Sequence, residues 1–356
     1  MIDYVPFLKL KTNEIMALKM LDDDILSSIT PFFDYARRDN LTEESFVSTA
    51  EKLRQALDRH VDQLPALYID NFDIDSDFEV DDSHNYLHLL TLLRDFNTIP
   101  VISIDRSDGH NESVATAKSS GINSSDIVAI RLTQEDFQDF SLIEGEIADE
   151  LGEIIDQFRQ VDLILDCRVC LNADPIELAN YISNFTDAFC AVYDTRRVIV
   201  TGSSMPPTIG EVIQVRSSVE LNRVELQVFN QVIARNTNGH PIVLGDYGSI
   251  SPNYSDANIP KEAMQNVMTP KIIYAYEDKH FLIRGSAIKT HPLGNGQYML
   301  LAQELLGKVF FRDEGYSFGE QYLAEKSRGE GNNATPGTMV KPLWNSHITY
   351  MCKDYV

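Results

Sequence analysis

Eight short apolar runs, each closing on a charged or hydroxyl-bearing end and each followed by a stretch of helical spacing, constrain this chain more than any other feature. They are Tyr4–Leu10, Ser28–Phe33, Ala66–Ile69, Val101–Ile104, Ile127–Ile130, Leu163–Leu165, Val198–Thr201 and Ile242–Gly245. Segments this short and continuously apolar read as parallel strands buried on both faces, with helices as the cover. At their C-terminal ends stand Lys9 and Lys11, Asp34, Asp70, Asp105 and Arg106, Arg131, Asp166 and Arg168, Ser203 and Ser204, and Asp246 and Tyr247. Strand ends are where a polar group can meet a ligand while the strand body stays in the core.

The intervening stretches carry helix signals. Thr42 precedes Phe46, Ala50, Leu53 and Leu57 at helical spacing, and Asp174-Pro175-Ile176-Glu177 combines a cap, an early proline and a first-turn acid. Ser141 with Glu144 and Thr208 with Glu211 have capping-box spacing. The second of these pairs predicts a long, broken helical segment running to about 236. Strand and helix alternate over residues 1–256, which predicts an α/β fold, a (β/α)8 TIM-barrel-like domain. An open doubly wound sheet is the alternative.

Beyond residue 256 the rhythm changes. Pro270–Tyr276 and His280–Ile283 read as a hairpin, Tyr298–Leu306 as a helix, and Gly329–Gly337 as a loop. Trp344–Tyr350 is apolar enough to dock back. Residues 257–356 are therefore expected to form an α+β extension that caps the barrel as part of one structural unit.

Composition excludes some functions. The formal charge of −24 repels phosphate backbones, so nonspecific nucleic-acid binding is not expected. No apolar run is long enough to span a bilayer, and the first residues lack a signal-peptide pattern, so no membrane association and a cytoplasmic location are the default expectations. Cys167 and Cys170 end a strand with no second cysteine pair nearby, which favours reduced thiols. Asp73-Ile74-Asp75-Ser76-Asp77 opens like a calcium loop but has Phe78 where the turn needs glycine, and His84 with His88 stands outside any metalloprotease motif. No metal site is assigned. The absence of a dinucleotide fingerprint, a Walker loop or a nucleophile elbow leaves the cofactor unknown.

The mixed charges at the strand ends fit acid/base work, an anion clamp, or an ion network that only satisfies itself. Ser203-Ser204 and Gly248-Ser249 follow the seventh and eighth strands, the place of a frequent phosphate site in barrels.

Several short motifs add a family resemblance. Tyr4-Val5-Pro6, Leu8-Lys9, Lys11, Glu14, Ala17-Leu18 and Ile29-Thr30-Pro31 resemble the opening of the phage and bacterial "beta protein" family. Thr201-Gly202-Ser203-Ser204-Met205-Pro206 and Gly245-Asp246-Tyr247-Gly248 resemble its seventh- and eighth-strand motifs. Lys271-Ile272-Ile273-Tyr274 and Phe281-Leu282-Ile283-Arg284-Gly285 are similar to its hairpin, and Trp344-Asn345-Ser346-His347-Ile348-Thr349 to its close. The family often has two adjacent histidines there, whereas this chain has Ser346-His347. The resemblance implies a barrel-like fold and a place in phage–host conflict, with a nuclease-like or phage protein as partner.

A tail folded over the rim would bring Arg284, Trp344 and His347 to Asp246, Tyr247 and Lys9. The expected catalytic set is then Asp246, Tyr247, Lys9 and His347. The expected ligand-binding set is Lys11, Asp34, Arg131, Asp166, Arg168, Ser203, Ser204, Arg284 and Trp344, suited to a phosphorylated or nucleotide-like small ligand. On this reading, substitution of Asp246 or Arg284 leaves the fold intact. The leading function is a phage-defence or exclusion component that binds a partner or small ligand at the barrel mouth. A hydrolase or phosphoryl-transfer enzyme and an acidic DNA mimic are the alternatives.

Overall fold

The first apolar run folds as the strand Tyr4–Lys9, buried along its whole length, and it has strand neighbours on both sides. In the computed structural model, which describes residues 3–254 and 266–355, Leu8 of this strand lies opposite Phe33 of Phe32–Asp34. On its other side Val5 lies opposite Gly245 of Ile242–Asp246. Leu67–Asp70, Thr98–Ile102, Ile127–Thr133, Gln160–Val169 and Thr195–Ser203 follow in chain order, all parallel, and the eight strands close into a barrel. Pairing of the first strand with the eighth excludes the open sheet.

Alternation along each strand sorts the residues between two cores. Phe7, Phe32, Tyr68, Val101, Ile164, Ile199, Val243 and Tyr247 belong to the interior cluster, while Tyr4, Leu8, Phe33, Ile130, Leu165 and Leu244 pack with the helices. The interior is filled, with Phe7 stacked on Phe32 at 4.3 Å between ring centroids. A Cβ on Gly245 would stand 2.7 Å from the Phe7 ring, so the eighth strand needs glycine there. At the opposite end from the mouth, Asp162 accepts hydrogen bonds from Tyr68 and Arg196, and Arg197 bonds Tyr68 and Asp3.

Some strand limits differ from expectation. Ser28 ends a short helix, Asp23–Ser28, so the second strand begins only at Phe32. Thr42 and Asp174 cap their helices as predicted, but Asp139, whose carboxylate accepts from the Ser141 N–H, caps Phe140–Glu146 in place of Ser141. The predicted helix over 208–236 is corrected by three elements: a turn at Ile209–Glu211, a strand Ser217–Asn222 and a helix Val224–Arg235. Val219 and Leu221 alternate with exposed residues, a strand period, and the segment pairs antiparallel with Lys279–Arg284.

That strand completes a three-stranded sheet in the order Ser217–Asn222, Lys279–Arg284, Lys271–Tyr276. One face packs, through Tyr274, Phe281 and Ile283, against the helices Gln297–Leu306, Phe318–Ser327 and Pro336–Tyr350. The other meets the loop after the seventh barrel strand through Ile273, Leu282, Met205 and Ile213. Trp344 and Ile348, on the last helix, join the barrel's own outer core. The boundary expected at 256 lies outside the described residues, and the extension's sheet takes one strand from before it. No helix among the described residues is long and apolar enough to cross a membrane.

Glu14 lies buried at the start of the helix Thr12–Lys19 with one carboxylate oxygen unpartnered. Burial pushes its pKa up from 4.5 to about 6, against a smaller opposing pull from Lys11. Folding therefore takes up a proton between these values, and stability falls as pH rises through that window. Glu14→Gln is expected to stabilise the protein by roughly 1–2 kcal/mol above about pH 7. Paired melting curves should show the gain shrinking as pH drops to about 4.5.

Candidate functional site

Arg131 is the centre of the barrel mouth. It rises from the fifth strand and is 1% exposed. One terminal nitrogen bonds Asp34 at 2.9 Å and Asp70 at 2.7 Å; the other bonds Asp166 at 2.7 Å and the Tyr247 hydroxyl at 2.7 Å. Tyr247 in turn donates to Asp166 at 2.5 Å. Lys9 pairs with Asp34 and Asp73, and Arg106 with Asp70 and Asp105. Burial alone would raise the carboxylates, but Arg131 with Lys9 holds Asp34, and Arg106 with Arg131 holds Asp70, below the usual range. The same carboxylates and Tyr247 keep Arg131 charged despite its burial. With Arg168, 3.8 Å from Asp166, four cations meet four buried or half-buried carboxylates, Asp34, Asp70, Asp73 and Asp166, with Asp105 at the edge.

Phe72 closes this layer. The guanidinium carbons of Arg106, Arg131 and Arg168 lie 4.4, 4.7 and 4.2 Å from its ring centroid. Arg168 has a left-handed backbone, φ 48°, which turns its side chain toward Pro252 O and Asn253 Oδ1 at 3.1 and 2.9 Å. A general acid or base must reach the proton it moves. Here Asp70, Asp166 and Tyr247 each bond Arg131, and Tyr247 bonds Asp166.

Asp246, although adjacent to Tyr247, faces the other way. Strand alternation sends Tyr247 into the barrel and Asp246 toward the last helix. The Asp246 carboxylate accepts from Tyr4 Oη at 2.7 Å and from the Gly248 N–H at 2.9 Å. His347 Nε2 lies 3.0 Å from each of its oxygens, and Arg223 bonds it as well. His347 and then Arg223 pull Asp246 well below the usual range against the effect of burial. Arg223 also bonds Glu225 at 2.9 Å, and Ser204 Oγ donates to Glu225 at 2.6 Å. This second buried network clamps the extension, through His347, to the end of the eighth strand.

The predicted catalytic constellation is therefore divided. Lys9 and Tyr247 belong to the mouth, Asp246 and His347 to the clamp. Of the predicted ligand-binding residues, Asp34, Arg131, Asp166 and Arg168 join the mouth network. Ser203 Oγ donates to Ile250 O at 2.9 Å, tying the seventh loop to the eighth, and Ser204 serves the clamp. Lys11 is exposed beside the first helix. Arg284 and Trp344 stand elsewhere, in an open pocket.

That pocket, of about 540 Å³, lies between the seventh loop, the eighth loop, the extension's sheet and the last helix. Met205, Pro206, Ile250, Met268, Ile273, Met339 and Leu343 supply apolar walls. Ser249, Asn253 and Thr269 supply polar groups, and Lys271 and Arg284 supply charge. No carboxylate lines it among the described residues. Trp344 forms part of the wall; its benzo edge fills the space where a Cβ on Gly248 would lie at 2.6 Å, and its indole N–H finds no acceptor among the described residues. The volume falls within the range of about 300–1,000 Å³ typical of small-molecule sites.

Comparison with known families now bears on the chain as a whole. The model of a family described as Beta protein matches residues 4–353. The chain belongs to the Beta protein family. Among curated proteins, none matches it. In this Beta protein the motifs at Gly245–Gly248 and Trp344–Thr349 meet at the Asp246–His347 contact, and Lys271 and Arg284 meet at one end of the pocket. Arg223, Glu225, Tyr4, Phe72 and Lys271 escaped the sequence reading as site residues. Arg223-Val224-Glu225 stands within a segment read as helix, and nothing in its spacing marks a barrel partner. Phe72, two residues beyond Asp70, was the one recoverable signal: an aromatic residue in an acidic loop at a strand end.

Proposed function

We propose that this Beta protein acts as a binding scaffold in phage–host conflict and holds a small anionic ligand in the pocket beside the barrel mouth. The observation that carries this reading is the pocket's charge: two cations and no carboxylate among the described lining residues, in a chain of net charge −24. The mouth supports it from the other side, because its cations and carboxylates already neutralise one another and Phe72 covers them. Binding therefore accounts for the geometry better than hydrolysis or phosphoryl transfer at the strand ends. The conflict role follows from the family resemblance, and a nuclease-like or phage-encoded protein that reads pocket occupancy would complete the module.

The test is a thermal-shift panel of small organic anions on the wild type and on Val340→Trp, which fills the pocket from the last helix. At least one anion should raise the melting temperature of the wild type saturably and leave Val340→Trp unmoved. Equal stabilisation of both proteins, or none of the wild type, would contradict the reading.

A further inference from the structure

Lys271 and Arg284 are directly opposite one another in the antiparallel pair that edges the pocket. Like charges in that relation destabilise a sheet. Arg284 has Nε held by Thr269 Oγ1 at 3.0 Å and Nη1 held by Ile213 O at 2.8 Å, which leaves Nη2 free to donate. The Lys271 ammonium has neither an ion pair nor a hydrogen bond among the described residues, and both side chains line the pocket. Lys271 is exposed at the pocket rim and Arg284 half-buried beside it, and no carboxylate among the described lining residues matches either.

A second observation concerns the pocket wall. Trp344 is 1% exposed and its indole N–H is unsatisfied. A buried donor without an acceptor carries a desolvation cost that a bound acceptor removes. Met205, Met268 and Met339 also line the pocket. Thioethers are adaptable and make favourable contacts with aromatic rings.

We infer that the Lys271–Arg284 pair receives the phosphate of an aromatic phosphate monoester, whose ring lies on the methionine wall. A phosphate monoester carries close to two negative charges near neutral pH and matches both cations, whereas a carboxylate matches one. Lysine supplies a point charge and arginine a directed donor, which together suit a phosphate oxygen cluster. The inference rests on the pocket reading above and adds the ligand class and its orientation.

Trp344 is the chain's single tryptophan, so its emission reports the pocket. Titration with phenyl phosphate should change that emission saturably. Phenol and inorganic phosphate, the two halves of the probe, should each bind at least tenfold more weakly. Lys271→Gln and Arg284→Gln should each weaken phenyl phosphate at least tenfold. Ligand-free Lys271→Gln should melt no lower than the wild type, because the substitution removes a repulsion. Binding of adenosine monophosphate, whose phosphate is on ribose, with the same dependence on Lys271 supports recognition of a phosphate monoester by the pair and points to a nucleotide as its source. Phenol binding as tightly as phenyl phosphate, undiminished binding in Lys271→Gln/Arg284→Gln, or no saturable response to either phosphate ester overturns the inference. The first outcome leaves the pocket reading standing; undiminished binding in the double variant removes the charge that carries it, as does insensitivity to Val340→Trp or a failure of every anion to bind.

Discussion

Arg131→Met is expected to destabilise the protein by about 3–5 kcal/mol, the cost of breaking a buried ion cluster by removing one partner. Methionine fills much of the same volume, so the loss comes from charge. Asp34, Asp70 and Asp166 remain, each essentially without solvent, around a side chain that donates nothing. Arg131→Lys should rescue only part of the loss, since one ammonium cannot reproduce the four-partner geometry of the guanidinium. The pH dependence has a defined sign. In the wild type Asp34 and Asp70 titrate below their usual range, so their contribution is present above about pH 4 and is lost as pH falls toward the depressed values. Without Arg131, burial is opposed chiefly by Lys9 at Asp34 and by Arg106 at Asp70, so both carboxylates rise. The deficit of the variant should therefore be larger at about pH 8 than at about pH 5. Denaturant melts at the two pH values measure it, and a deficit under about 1 kcal/mol at both would show that the mouth network is dispensable.

Asp246→Asn should come second in size, at about 3 kcal/mol. The substitution keeps the shape but leaves Arg223 buried with Glu225 alone and takes the charge from beside His347. The effect should be local before it is global. Amide hydrogen exchange across Pro336–Tyr350 should quicken more than exchange across the barrel strands, because His347 anchors that helix to the eighth strand. As Asp246 is held well below the usual carboxylate range, the wild-type clamp persists above about pH 4 and weakens as pH falls further. Uniform exchange through both regions would show that Asp246 supports the barrel rather than the extension. The expectation from sequence, that Asp246 can be replaced without cost to the fold, is corrected by its burial and its four donors. Arg284 is half-buried at the pocket edge, where it bonds Thr269 Oγ1 and Ile213 O.

The barrel was legible because burial on both faces leaves a chemical trace, a short aliphatic run with a polar end. Ile242–Asp246 was read to the residue for that reason. Ser217–Asn222 was not, because its partner, Lys279–Arg284, lies about sixty residues on and its alternation is diluted by serine. Local capping-box spacing at Thr208 and Glu211 favoured a helix, and sheet pairing overrode it. The candidate site was half legible. Lys9, Asp34, Arg131 and Asp166 were found as strand ends that converge. Asp246 and Tyr247 were grouped because they are adjacent, although the two-residue period of a strand puts adjacent side chains on opposite faces. Arg284 was expected as a ligand-binding residue but Lys271 was not, since their opposition depends on hairpin register that composition does not disclose.

One structure would decide between a sealed mouth and a working one. Crystals of the protein grown with phenyl phosphate should show the phosphate between Lys271 and Arg284, the ring along Met205 and Met339, and Phe72 still covering Arg131. Phosphate bound instead at Arg131, with Phe72 displaced and the Asp34 and Asp70 contacts broken, would contradict the account.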